Sequence, residues 1–236
     1  PLIPFYSDLF IIKNFKQIRY LSSIIKKYKI DIVHANNRIN ANILCLLAAK
    51  KCSVPYVQHQ RAYEKSMGII TKFNKNYPVA YISISKSISR NIVDKINVMD
   101  KKIKLVHNWI NINSFDKSSK INNRNIFKIL WVGRIVPWKG LDILIKIAKE
   151  LKNNNFINFE IDVYGDYNDI SYKINIENMI EELKLTKFVN FKGFKMFEDI
   201  KHQDYNVYIH TSKEPEPFGR TLIENMLVGI PVFATS

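Results

Sequence analysis

Apolar and polar residues alternate at two different periods along this chain. Over residues 10–28 the apolar positions are 11, 12, 15, 18, 21, 24, 25 and 28, the three-and-four rhythm of an amphipathic helix. Its other face carries Lys13, Lys16, Arg19, Lys26 and Lys27. The period then shortens. Residues 30–35 predict a strand, 38–50 a helix that stops before Pro55, and 56–59 a second strand. The polar stretch 72–76 ends a helix or forms a loop, and 79–84 reads as a third strand. Ser85 is placed to cap a helix over 86–96, and 104–108 is a fourth strand.

Residues 111–124 are mostly polar, with Ser, Asn, Asp and Lys prominent, and predict a linker. Beyond it the alternation resumes, with strands over 126–132, 159–164, 189–194, 205–210 and 231–234 and helices over 141–151 and 174–183. A further helix begins near Thr221. Strand–helix–strand order on both sides of the linker predicts two doubly wound α/β units, a partial one over 1–120 including the linker and another over 121–236.

Composition fits that architecture. Apolar residues make up 47% of the 236, enough for sizeable cores. Lys and Arg number 36 against 21 Asp and Glu, formally +15, which favours phosphates or an anionic membrane surface as partners. A lysine-rich solubilising surface would give the same balance. The only cysteines, Cys45 and Cys52, have no metal-ligand spacing and are expected reduced, as in the cytoplasm. The apolar run 43–49 is far short of the roughly 20 residues that a membrane span needs. No nucleic-acid signature is present, and Trp131 and Trp138 are too few for a base-stacking platform.

Two loops carry candidate chemistry. In the first, Gly133-Arg134 follows a strand and Lys139-Gly140 precedes a helix, so two cations stand beside helix N–H groups in a turn suited to a diphosphate. It matches neither G-x-x-x-x-G-K-[ST] nor G-x-G-x-x-G. A turn with two solvated cations is the plain alternative. The second loop is Glu214-Pro215-Glu216-Pro217-Phe218-Gly219-Arg220-Thr221-Leu222-Ile223-Glu224. Gly219 permits close backbone approach, and a helix start after it suits an anion. Glu224, one turn inside that helix, can accept hydrogen bonds from sugar hydroxyls, or simply complement the helix dipole. His59 and Arg61 fall at the C-terminal end of a strand, where open α/β sheets place ligands. Asp162 and Asp166 lack a third ligand nearby, and no metal site is expected.

Taken together, these motifs resemble the retaining GT-B glycosyltransferases of glycosyltransferase family 4 (Glycosyl transferases group 1). Gly133-Arg134 with Lys139-Gly140 is similar to the family's G-R-x-x-x-x-K-G. Val163-Tyr164-Gly165-Asp166 and Val189-Asn190-Phe191-Lys192-Gly193 resemble its strand-glycine and V-x-F-x-G motifs. Glu216 to Glu224 resembles its E-x7-E, with Gly229-Ile230-Pro231-Val232 following. In the first half Asp31-Ile32-Val33-His34-Ala35 resembles D-[IV]-[IV]-H-x-H, with Asn36 in place of the second His.

The resemblance implies a GT-B fold: two Rossmann-like domains facing a cleft, both incomplete here. It implies a transferase that moves a sugar, with retention, from a UDP- or GDP-linked donor to a saccharide or lipid-linked saccharide in cell-envelope glycan synthesis, without metal. Arg134 and Lys139, beside Gly133, would hold the diphosphate, and Glu224 the ribose. Glu216 would act at the donor sugar or its phosphate, with Phe218 and Gly219 offering N–H groups, and His59 would contact the sugar. The location implied is cytoplasmic, peripheral at the inner membrane face. The chain begins at Pro1 without the family's first strand and glycine-rich loop, and stops at Ser236 before its last helices, so about 60 residues are expected beyond each end. The alternatives are a GT-B scaffold that binds nucleotide-sugar without turnover and another GT-B enzyme such as an epimerase.

Overall fold

A computed structural model describes residues 9–110, 126–167 and 169–235, with side chains from residue 14 onward. The chain divides into two compact units, Pro1–Asn108 and Trp109–Ser236. The expected linker over 111–124 lies outside the described residues.

Unit 1 is a parallel sheet of four strands in the order β1-β2-β3-β4: β1 Val33–Asn37, β2 Tyr56–Gln60, β3 Ala80–Ser83 and β4 Ile103–Leu105. Helix α1 (Leu9–Lys27) packs on α2 (Ile43–Lys51), followed by α3 (Ile69–Asn74) and α4 (Lys86–Asn91), which continues as a π-helical turn over Ile92–Ile96. Ser85 caps α4 as its position predicts, its Oγ accepting from the Ile88 N–H at 3.2 Å. The buried stripe of α1 is Asn14, Ile18, Ser22 and Ile25, with Ile18 and Ile25 packed beside Ala48 of α2. Two of the predicted apolar positions face outward instead. Phe15 is 48% and Tyr28 63% exposed, each ring lying near cations: Arg19 and Lys51 around Phe15, Lys27 over Tyr28.

Strand β2 also carries Gln58 and Gln60, both fully buried. Gln58 Nε2 donates to the Asn37 carbonyl at 2.9 Å, and Gln60 Oε1 accepts from the Ile39 N–H at 3.1 Å. Buried Glu64 accepts from Asn40 Nδ2 at 3.0 Å, while its own N–H donates to Asn91 Oδ1 at 2.8 Å. These amides satisfy loop backbone that would otherwise be stranded in the interior. They thereby fix the loops at the C-terminal edge of the sheet.

Unit 2 is a parallel sheet of five strands in the order β7-β6-β5-β8-β9: β5 Phe127–Val132, β6 Phe159–Tyr164, β7 Val189–Gly193, β8 Val207–His210 and β9 Val232–Ala234. Helices α5 (Leu141–Asn153), α6 (Ile170–Glu182) and α7 (Arg220–Leu227) connect them. Strand β5 is buried on both faces, as a central parallel strand must be. Its Ile129 and Trp131 join a core with Leu144, Ile145, Ile161, Val163, Ile176 and Ile180, while Leu130 joins Tyr164, Tyr205, Tyr208 and Ile230 on the other side. Asp162 belongs to a buried polar cluster: Tyr205 Oη donates to its Oδ2 at 2.8 Å, Asn190 Nδ2 to its Oδ1 at 3.1 Å, and Lys192 lies 3.4 Å away.

The chain winds outward from β5 through β6 to β7, then returns to the other side of β5 for β8 and β9. The strand order therefore reverses between β5 and β8. At such a reversal successive crossovers diverge and leave a crevice beyond the strands' carboxyl ends. Both candidate loops, 133–140 after β5 and 211–219 after β8, emerge there.

Gly165, directly after β6, seals the neighbouring edge, since a Cβ on it would stand 1.8 Å from the Gly133 carbonyl oxygen. Gly165→Ala is expected to destabilise the protein by about 2–4 kcal/mol through forced backbone displacement, seen as a lower urea midpoint with unchanged slope. An unaltered midpoint would show that this edge is loosely packed.

Candidate functional site

The site grows from the way β5 and β8 end. After Val132 the chain turns at Gly133, whose N–H donates to the Tyr164 carbonyl at 3.0 Å, and the Ile135 N–H donates to the Asp166 carbonyl at 2.8 Å. A 3-10 turn over Pro137–Lys139 then leads to Gly140, in the left-handed region at φ 69°, and on to α5. A Cβ at Gly140 would stand 1.9 Å from the Thr211 carbonyl oxygen, so this position combines positive φ with close approach. The two loops are also stitched by polar contacts. Trp131 Nε1 donates to Thr211 Oγ1 at 3.0 Å, Thr211 Oγ1 donates to the Lys139 carbonyl at 3.1 Å, and the Lys213 N–H donates to the Trp138 carbonyl at 2.8 Å.

This stitching presents Lys139 to Glu216, 77 positions later, and the two form a direct ion pair at Glu216 Oε1. Both are largely buried, with side-chain exposures of 12% and 17%. Ser212 Oγ donates to the same oxygen at 2.9 Å. His210 Nε2 lies 3.3 Å from it, close enough for charge interaction but outside hydrogen-bonding geometry. Burial alone would push the Glu216 carboxyl up. The facing His210, the Lys139 ammonium and the Ser212 hydroxyl outweigh burial and hold it down at about 2. The Lys139 ammonium also sits 4.5 Å from the Trp138 ring centroid, and the Arg134 guanidinium 5.8 Å from it. Trp138 is thus a shared aromatic platform for both cations.

Helix α7 starts directly after Gly219, which is left-handed at φ 75°. Glu224, one turn in, is buried and accepts from Arg220 Nη2 at 2.8 Å. Thr221 of the same helix accepts from Tyr208 Oη at 2.9 Å, and Tyr208 Oη lies 3.0 Å from His210 Nδ1. Gly133, Arg134, Lys139, Glu216, Phe218, Gly219 and Glu224 therefore gather around one sheet edge in unit 2. His59 lies in unit 1 on β2, in the strand predicted over 56–59. Its ring stacks on His34 with centroids 5.5 Å apart. Its Nε2 is buried with no hydrogen-bond partner among the described residues, and burial, Arg61 and His34 all lower its pKa.

His210, Ser212, Tyr208, Thr211 and Trp138 escaped the sequence reading as site residues. The available signal was a histidine ending a buried strand beside the strand-order reversal. Among the described residues no group of three or more His, Cys, Asp or Glu is placed to hold a metal ion. The arrangement is instead a cationic, tryptophan-backed pocket edge beside a helix start and an ionised carboxylate, which suits phosphate oxygens and sugar hydroxyls.

The low carboxyl pKa of Glu216 makes a stability claim. A folded pKa below the ordinary carboxylate value stabilises above that value, and the contribution is lost as pH falls from about 4.5 to about 2. Lys139→Met removes the main counter-charge, so acid unfolding followed by circular dichroism should begin at a higher pH than in the wild type. Coincident acid transitions would show that the pair contributes no net stability.

Residues 112–236 match the family described as Glycosyl transferases group 1, and residues 1–114 match Glycosyltransferase Family 4. An uncharacterized glycosyltransferase of Methanocaldococcus jannaschii is 27% identical over 237 residues, covering 88% of this chain and 58% of that protein. Among solved structures, Anabaena HepE in complex with UDP and glucose superposes with a TM-score of 0.76 at 22% identity, covering 92% of this chain and 62% of its own. A glycosyltransferase from Rickettsia africae gives 0.79 at 22% identity, covering 98% and 63%. The chain thus spans less than two thirds of the length of these relatives. The solved structures show the fold, two Rossmann-like α/β units of the GT-B type. By the match over its second unit, more than half of its length, the chain belongs to the Glycosyl transferases group 1 family.

Proposed function

We propose that the protein carrying this chain is a retaining glycosyltransferase that moves a sugar from a nucleotide-sugar, UDP-linked in preference, to a saccharide or lipid-linked saccharide of the cell envelope. The observation that carries the reading is the convergence of Lys139, Arg134, Glu216 and the start of α7 at the strand-order reversal of unit 2. In this reading Lys139 and Arg134 bind the diphosphate and neutralise the charge that grows on it as it leaves. Phe218 and Gly219 contribute N–H groups, Gly133 permits close approach, and Glu224 accepts from the ribose hydroxyls. Glu216 orients the donor sugar, and His59 contacts it in the role that the resemblance implies. UDP is favoured because HepE binds UDP and glucose. The division into an acceptor-side part over 1–120 and a donor-side part over 121–236 belongs to the same proposal.

Calorimetric titration with UDP, GDP and ADP, each beside its nucleoside, tests the donor site. UDP should bind tighter than uridine. A charge-assisted hydrogen bond contributes about 1.5–3 kcal/mol, so Lys139→Ala should weaken UDP about 10- to 100-fold and leave uridine little changed. Equal affinity of UDP and uridine, or equal loss for both, would refute phosphate binding by this lysine.

The membrane part of the proposal rests on α1. Its outer face exposes Lys16, Arg19, Tyr20, Lys26, Lys27 and Tyr28, a basic and aromatic surface suited to anionic headgroups. No helix among the described residues is long and apolar enough to cross a membrane, so contact would be peripheral. In vesicle sedimentation the protein should partition onto phosphatidylglycerol-containing vesicles and not onto pure phosphatidylcholine. Each Lys→Gln change on this face should cost about 1 kcal/mol, roughly fivefold in partitioning. Binding indifferent to vesicle charge would refute this contact.

A further inference from the structure

One oxygen of Glu216 faces both a lysine and a histidine, and the histidine side chain is of a kind that can change its charge. Oε1 of Glu216 is in contact with Lys139, accepts from Ser212 at 2.9 Å and lies 3.3 Å from His210 Nε2. His210 is 5% exposed, and its Nε2 has no hydrogen-bond partner among the described residues. Its other nitrogen lies 3.0 Å from Tyr208 Oη, which donates to Thr221 at 2.9 Å. A polar chain thus links the ring through Tyr208 to α7, while its Nε2 lies beside the Glu216 carboxylate.

The surroundings offer few other responses to added negative charge. Glu216 and Ser212 come from the β8–α7 loop, Lys139 from the β5–α5 loop, and Tyr208 from β8 itself. On α7 lies Glu224, whose charge reaches Tyr208 and is paired with Arg220. Strand β9 meets His210 through the main chain, in register with Ala234 and with the Thr235 N–H donating to the His210 carbonyl at 3.0 Å. Lys139 balances Glu216 in a direct ion pair. A diphosphate that draws Lys139 away, or shares it, leaves the buried carboxylate under-compensated in a setting of low dielectric. Among the described residues beside that oxygen, the histidine is one that can gain a positive charge near neutral pH.

We propose that His210 is a positioning residue that takes up a proton from solvent when a nucleoside diphosphate engages Lys139. Its Nε2–H then replaces the lysine as the partner of Glu216 and holds that carboxylate ionised and in place. This rests on the donor-site reading above and adds to it a protonation step coupled to binding. One proton passes from buffer to the imidazole, and no covalent bond changes.

The test is calorimetric titration of UDP into the protein in several buffers of different ionisation enthalpy, at about pH 7.5. There free imidazole and the terminal phosphate, with pKa values of about 6.5 and about 6, are both largely deprotonated. The dependence of the heat on buffer ionisation gives the number of protons exchanged. Wild type should take up close to one proton per UDP and none with uridine, and His210→Gln should bind UDP with that uptake lost. The absence of uptake by the wild type, or its persistence in His210→Gln, would overturn the proposal and leave the donor site standing. No heat from UDP under any condition would overturn both.

Discussion

One buried carboxylate organises unit 2. Glu216 is ionised in a largely buried position, and an isolated ion there would be unstable by several kcal/mol. Its environment is arranged to prevent that isolation. Lys139 arrives from the preceding loop, Ser212 donates from the same loop, and His210 faces it from the end of β8. Each of these depends on backbone placed elsewhere: Gly140, which lets its loop press against Thr211, and Trp131, whose indole N–H anchors that threonine. The geometry of this edge is thus inherited from the packing beneath it.

The sheet supplies the rest. Because β5 and β8 lie side by side where the winding reverses, the loops that follow them emerge at neighbouring points of the crevice, and the lysine and carboxylate they carry come together from distant parts of the sequence. Trp138 adds an aromatic plane close to both cations, and that keeps Lys139 and Arg134 on one side of the loop. Under the proposed function this is an electrostatically prepared surface. Its charges are oriented before the diphosphate arrives, so little reorganisation remains for the reaction itself.

Much of this was legible in the sequence because it depends on local rules. Helical and strand periods marked nearly every element, Ser85 marked the start of α4, and glycine spacing marked the loop after β5. Boundaries shifted where tertiary contacts outweighed pattern. Strand β1 runs on to Asn37 because buried Gln58 satisfies that residue's carbonyl, and α2 starts only at Ile43, after the turn that Gln60 pins. What could not be read were partnerships between residues far apart. Nothing in the order of residues says that His210 faces Glu216, or that Gln58, Gln60 and Glu64 form a buried network, since polar residues in strands look like solvent-facing positions until the loops above them are in place. Phe15 and Tyr28 show the opposite failure: apolar by type, they lie outside the packed stripe of α1 and meet cations instead.

The most direct test of the central claim is a crystal structure of the protein with UDP bound. The account predicts the diphosphate against Lys139 and Arg134 at the start of α7, the ribose hydroxyls at Glu224, and the Lys139–Glu216 pair loosened or shared. UDP bound away from this edge, with Lys139 still closed on Glu216, would contradict it.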